Sequence, residues 1–122
     1  MYGEITIGQH TVEMAANAAS PILYKNIFHK DFLKEVQEDE PDPMLFAEMG
    51  FVMAMQAKKS LEEMMKLSQL SYVEWLTQFE TMDIVQKTGE IGQLYFEQTH
   101  QTSSAKKKED KQTGNTTQPS TS

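Results

Sequence analysis

Asp42-Pro43-Met44-Leu45-Phe46-Ala47-Glu48-Met49-Gly50-Phe51-Val52-Met53-Ala54-Met55-Gln56-Ala57 is the least polar stretch of the chain, and its reading decides the fold. Asp42 suits an N-cap, and Pro43 has the fixed φ and missing donor that the first helical position tolerates. Glu48 and Lys58-Lys59 lie toward the ends where the helix dipole favours their signs. A helix therefore starts at Pro43. Leu45, Phe46, Met49, Val52 and Met53 fall on nearly every side of its first four turns, so the helix has to be covered all round. Six of the nine Met residues lie between Met44 and Met65. Two coverings are open. The helix is either the centre of the domain's own core or a partner-binding surface around Met44, Phe46, Met49 and Met53, since flexible, polarizable Met recurs on surfaces that fit several shapes.

Working outward toward the N-terminus, Glu38-Asp39-Glu40-Pro41-Asp42-Pro43 holds four acids and two prolines and cannot continue a helix. It reads as a solvated acidic linker. Before it, Phe32, Leu33 and Val36 predict a short helix over Asp31 to Gln37, and Ser20-Pro21 predicts a capped helix from Pro21 to about Phe28 with Leu23 and Ile27 on its apolar stripe. Glu4-Ile5-Thr6-Ile7 and His10-Thr11-Val12-Glu13-Met14 alternate around Gly8-Gln9, which predicts a β-hairpin burying Ile5, Ile7, Val12 and Met14. Two strands alone are barely stable in water, so the hairpin must lie on the helices or pair with another chain.

Toward the C-terminus, Ser60-Leu61-Glu62-Glu63 is a capping-box pattern. Either a helix restarts there or one rod of ~40 Å runs from Pro43 to Gln69. Ser71-Tyr72-Val73-Glu74 matches the same pattern and predicts a helix carrying Trp75, Leu76 and Phe79. Thr81 is expected to cap a last helix with Ile84, Val85, Ile91, Leu94 and Tyr95 as its stripe, in which Gly89 and Gly92 lower propensity but allow close helix approach. From Thr99 the composition turns to Gln, Thr, Ser, Lys, Asn and Pro, too polar to offset chain entropy. The expected architecture is mainly α: one small domain over 1–98, of four to six helices with a short N-terminal hairpin, and a disordered polar tail over 99–122.

Charge and composition narrow the function. The net charge is −7, with 7 Lys against 16 acids in residues 1–98 and 4 Lys against 2 acids beyond. No basic residue is Arg, the side chain best suited to phosphate and guanine, so nucleic-acid binding by the folded part is not expected. There is no Cys, and His10, His29 and His100 stand far apart without a metal-ligand spacing. No glycine-rich phosphate loop is present, and the carboxylates fall where caps and exposed helix faces explain them. The sequence therefore predicts neither an enzyme nor a cofactor. With no apolar run of membrane length and no signal-peptide pattern, it also predicts a protein that stays in the cytoplasm where it is made.

Several segments together carry a resemblance. Leu23-Tyr24-Lys25-Asn26-Ile27-Phe28-His29-Lys30-Asp31-Phe32-Leu33 resembles the Tyr-Lys-x-x-Phe-Gly-Lys-Asp-Phe-Leu signature of tail assembly chaperones from long-tailed phages and prophages of Gram-positive bacteria. Trp75-Leu76-Thr77-Gln78-Phe79-Glu80-Thr81-Met82-Asp83 is similar to that family's Trp-Leu-x-x-Phe-x-x-Met-Asp segment, and Thr102 to Lys108 is similar to its usual ending. His29 stands where the family commonly has Gly, a residue that ends helices in the left-handed conformation more easily. The resemblance implies a protein of the host bacterial cytoplasm, absent from the mature virion, that binds the long hydrophobic tape measure protein, keeps it soluble and helps recruit tail tube protein. It also implies that the codons for Lys106, Lys107 and Lys108 form a slippery site for programmed frameshifting, giving a longer product that contacts the tail tube. Self-association into a homo-oligomer is a further expectation, from the hairpin edge and the apolar central helix. The alternatives are a head-to-tail joining protein and a small helical regulator; a DNA-binding regulator would need a basic face that this chain lacks.

Overall fold

The computed structural model describes residues 3–99. β1 (Gly3–Ile7) and β2 (His10–Met14) pair antiparallel, with Ile7 opposite His10 and Gly3 opposite Met14. Gly8 alone of the two turn residues has positive φ, at 62°, which is the requirement of a type II′ hairpin turn. A Cβ there would also lie 2.6 Å from Asp83 Oδ2, a contact that the movable carboxylate can relieve, so it is the backbone conformation that requires glycine. Ile5, Ile7 and Met14 are buried and Val12 half-buried, while Glu4, Thr6, Thr11 and Glu13 face outward, as the alternation predicts.

Ser20, the expected cap of the first helix, is fully buried and performs another task. Its hydroxyl donates to Gln56 Oε1 at 2.5 Å and accepts from the Asn17 N–H at 3.0 Å. α1 (Ser20–Phe28) thus starts beside the end of the central helix, with Pro21 in its first turn. It ends at His29, which adopts φ 60° and ψ 32° and donates its N–H to the Lys25 carbonyl at 2.8 Å. The predicted helix over 31–37 shortens to one turn, α2 (Phe32–Glu35), where the Asp31 carboxylate caps the Lys34 N–H.

α3 (Met44–Gln56) is the centre of the domain, with β2, α1 and the last helix, Thr88–Thr99, packed around it. The Asp42 carboxylate accepts from the Met44 N–H at 2.9 Å, so the expected cap is in place. Every residue from Met49 to Met55 is buried. Each large side chain removed from water contributes about 1.5–3 kcal/mol before entropy is counted, so α3 contributes more to the buried core than any other element.

The single-rod alternative is excluded: α3 stops at Gln56, and Ser60 opens α4 (Leu61–Met64) with a reciprocal capping box to Glu63. The next helix is not opened by Ser71. α5 (Gln69–Leu76) starts three residues earlier, with Ser68 as N-cap and its N–H donating to Ser71 Oγ at 3.1 Å. The last predicted helix is two: α6 (Thr81–Val85), flanked by Glu80 rather than capped by Thr81, and α7 (Thr88–Thr99). α7 approaches α3 at Gly92, where a Cβ would come within 3.0 Å of the Phe46 ring. At its end Gln98 clasps the hairpin: its Oε1 accepts from the Ala16 N–H at 2.5 Å and its Nε2 donates to the Met14 carbonyl at 3.2 Å. The fold is therefore mainly α with an N-terminal hairpin. The expected disordered tail lies outside the described residues. Among those described, no helix is long and apolar enough to cross a membrane.

Candidate partner-binding surface

The first motif segment, Leu23 to Leu33, builds the corner between α1 and α2. The Tyr24 hydroxyl donates to Glu48 Oε1 on α3 at 2.5 Å, and Lys30 Nζ reaches the same oxygen at 3.3 Å. Burial pushes the Tyr24 phenol far above its ordinary pKa, and the hydrogen bond to Glu48 adds to the rise. Phe28 and Phe32 stack on Tyr24 at 4.8 and 5.3 Å, and Phe32 continues to Tyr95 at 5.0 Å. Such pairs add about 0.5–1.5 kcal/mol each beyond their buried area. The apolar side chains of this motif thus point inward and set the path of the chain, while Lys25, Asn26, His29, Lys30 and Asp31 are exposed.

The second motif segment is also anchored inside. Trp75 packs between Phe51 and Phe79 at 5.6 and 5.0 Å, and Phe79 meets the edge of His10 at 5.4 Å. Tyr72, one turn earlier, is held above its usual pKa by burial and by the nearby Glu48 charge. α5 is thereby fixed to α3 and to the hairpin turn at once.

Met49 and Met53, expected on a partner surface, have 0% exposure, and Met44 and Phe46 are half-buried. The central helix is enclosed by its own domain, which is the core alternative of the two open in the sequence. The exposed apolar side chains lie elsewhere. Leu61 and Met65 are 65% and 55% exposed, four residues apart at α4, and Leu70 and Val73 are 67% and 53% exposed, three apart on α5. Each pair occupies one face of its helix. Ile22 and Met82 are exposed singly. The signal for α4 and α5 was present in the sequence as Leu61-x-x-x-Met65 and Leu70-x-x-Val73, but a helical spacing of apolar residues ordinarily marks the inward face. Here Met64, Tyr72 and Trp75 take that inward role. The Lys106, Lys107 and Lys108 run lies outside the described residues.

No protein-family model, no curated protein and no solved structure matches the chain.

Proposed function

We propose that this protein is a phage tail assembly chaperone that holds the tape measure protein soluble during tail morphogenesis and helps recruit tail tube protein. The reading is carried by the joint presence of the Leu23 to Leu33 and Trp75 to Asp83 segments, which resemble the two signatures of that family in the same order. Support also comes from the placement of apolar side chains. The exposed pairs Leu61/Met65 and Leu70/Val73 are the kind of surface that engages a long apolar client transiently. The client contact is accordingly assigned to α4 and α5, with α3 as the scaffold beneath them.

Co-expression with the tape measure protein from the same gene cluster tests the reading. The client is expected in the soluble fraction with the wild-type chain, and in the pellet when Leu61→Lys, Met65→Lys, Leu70→Lys and Val73→Lys are combined, with the circular dichroism spectrum unchanged. A client that is equally insoluble with and without the wild-type chaperone refutes the function. Persistence of the protein in purified particles favours a joining protein instead. The longer product is tested in the gene itself: an A-rich slip site at the codons for Lys106 to Lys108 and an overlapping downstream frame are expected.

A further inference from the structure

β2 has one edge paired with β1 and one edge paired with no strand among the described residues, which is closed at its far end by the Ala15 N–H donating to the Met53 carbonyl at 3.0 Å. Because Ile7 and His10 close a two-residue turn, Ile7/His10, Ile5/Val12 and Gly3/Met14 are the pairs that exchange backbone hydrogen bonds. The N–H and C=O groups of Thr11 and Glu13 then point away from β1, and among the described residues they have no backbone partner. A groove of about 530 Å³ runs along this side. It is lined by the consecutive residues Gln9 to Glu13, and by no residue of β1, which places it along the strand's edge rather than on a face of the sheet. Its opposite wall is Ala54, Ala57 and Lys58 at the end of α3 with Trp75 and Gln78 of α5. A smaller hollow that shares Gln9, His10 and Gln78 with it lies beside the turn and is lined by Glu80 and Asp83.

We infer that this groove binds an extended polypeptide segment of a partner protein, added as a third strand along β2 and carrying Lys or Arg at the end that lies beside Glu80 and Asp83. The inference goes beyond the chaperone reading and stands whatever the client is. The chemistry selects the occupant. Donors and acceptors on the edge recur about every 6.8 Å, the two-residue repeat of a strand, and an extended main chain matches that repeat. The opposite wall suits it, since Ala54 and Ala57 are small and leave room for alternate side chains of the incoming strand. The far wall makes the groove a slot for one segment and not for a broad sheet. The charge around it decides the polarity of the ligand: Glu13, Glu80 and Asp83 against Lys58 leave it acidic. For an antiparallel segment the basic residues belong at its C-terminal end.

The probe is a synthetic peptide of alternating valine and threonine ending in lysines, titrated into the full chain and followed by amide hydrogen exchange and nuclear magnetic resonance. Binding is expected to slow exchange at the Thr11 and Glu13 amides selectively. A version N-methylated at alternate amides is expected to lose this protection, because it keeps the side chains but removes main-chain donors. Glu80→Gln with Asp83→Asn is expected to weaken binding about five-fold, as exposed ion pairs do. Equal binding of the methylated peptide, or no protection by the unmodified one, overturns the proposal. Protection of Thr11 and Glu13 before any peptide is added also overturns it: concentration-dependent protection would assign the edge to a second copy, and concentration-independent protection to the chain itself.

Discussion

Two glycines three residues apart on α7 separate the cost of close packing from the cost of helix propensity. A Cβ on Gly89 would meet nothing within 4 Å, whereas one on Gly92 would lie 3.0 Å from both Cδ1 and Cε1 of Phe46. Carbon atoms prefer about 3.5–4.0 Å, so at Gly92 the ring must give way by about half an ångström. It is poorly placed to do so, since its edge-on contacts with Phe32 at 6.0 Å and Phe96 at 6.3 Å hold it on two sides. Replacing an interior helical Gly by Ala gains up to about 1 kcal/mol, and overpacking costs about 1–3 kcal/mol. Gly89→Ala is therefore expected to stabilise by about 0.5–1 kcal/mol, somewhat below the full gain because it lies in the first turn. Gly92→Ala is expected to destabilise by about 1 kcal/mol. The two variants should differ by roughly 10 °C in Tm for a domain of this size. Thermal and urea unfolding of both variants checks this. If Gly92→Ala proves as stable as Gly89→Ala, the Phe46 ring is free to move and α7 does not need Gly92 to approach α3. Restoration of Gly92→Ala by Phe46→Leu would locate the strain at that ring.

Tyr95 is fully buried among aromatic rings, and its hydroxyl has no hydrogen-bond partner among the described residues; the neighbouring Thr99 hydroxyl donates to the Tyr95 carbonyl instead. Tyr95→Phe is expected to be neutral or stabilising by up to about 2 kcal/mol in urea unfolding, and a clear loss would reveal a partner for the hydroxyl. Burial also pushes the Tyr95 pKa from 10.0 up to about 12. A raised pKa means that the Tyr95 phenol costs no stability by ionising below pH 10.0, and that stability is lost as the pH rises from there through about 12. Tyr95→Phe should accordingly lessen alkaline unfolding in that window, as read by the pH dependence of the urea midpoint. His29→Gly should raise stability by about 1 kcal/mol, because the left-handed conformation at that position costs a side-chain-bearing residue about that much; an unchanged or lower Tm contradicts the strain at His29. Glu4 and Glu13 face each other across the hairpin on its exposed side. Glu13→Lys should stabilise by a few tenths of a kcal/mol, an effect that fades with added salt.

Much of the fold was legible because its signals are local. Gly8-Gln9 between two alternating runs, the acidic proline-broken linker and the Ser60-x-x-Glu63 box each specify structure within a few residues, and each appears as read. The misread helix starts at Ser20 and Ser71 share one cause, which is that a polar residue near a helix start can serve as its cap or in another role. Ser20 turns inward to Gln56 on another helix, and Ser71 serves as the third residue of a box that Ser68 opens. The Ser71-x-x-Glu74 spacing imitated the commoner form of that pattern. The break between α6 and α7 is equally opaque, since Gln86 and Lys87 favour helix and no local signal marks the interruption. For the partner surface, an all-round apolar helix established that α3 is covered but not by what. The answer required knowing that α1, α7 and β2 close around it.

The Gln98 clasp joins residues 82 and 84 positions apart in the chain. Its consequence is temporal. During synthesis the hairpin precedes every helix among the described residues, yet two strands are scarcely stable alone, and the side chain that clasps it to α7 is among the last of the described residues to appear. Contacts of such long separation slow folding, because the loop they close must be ordered before they repay it. Until Gln98 is made the hairpin rests on its packing against α3 and Phe79 without this clasp, and its strands stay more open to whatever lies nearby.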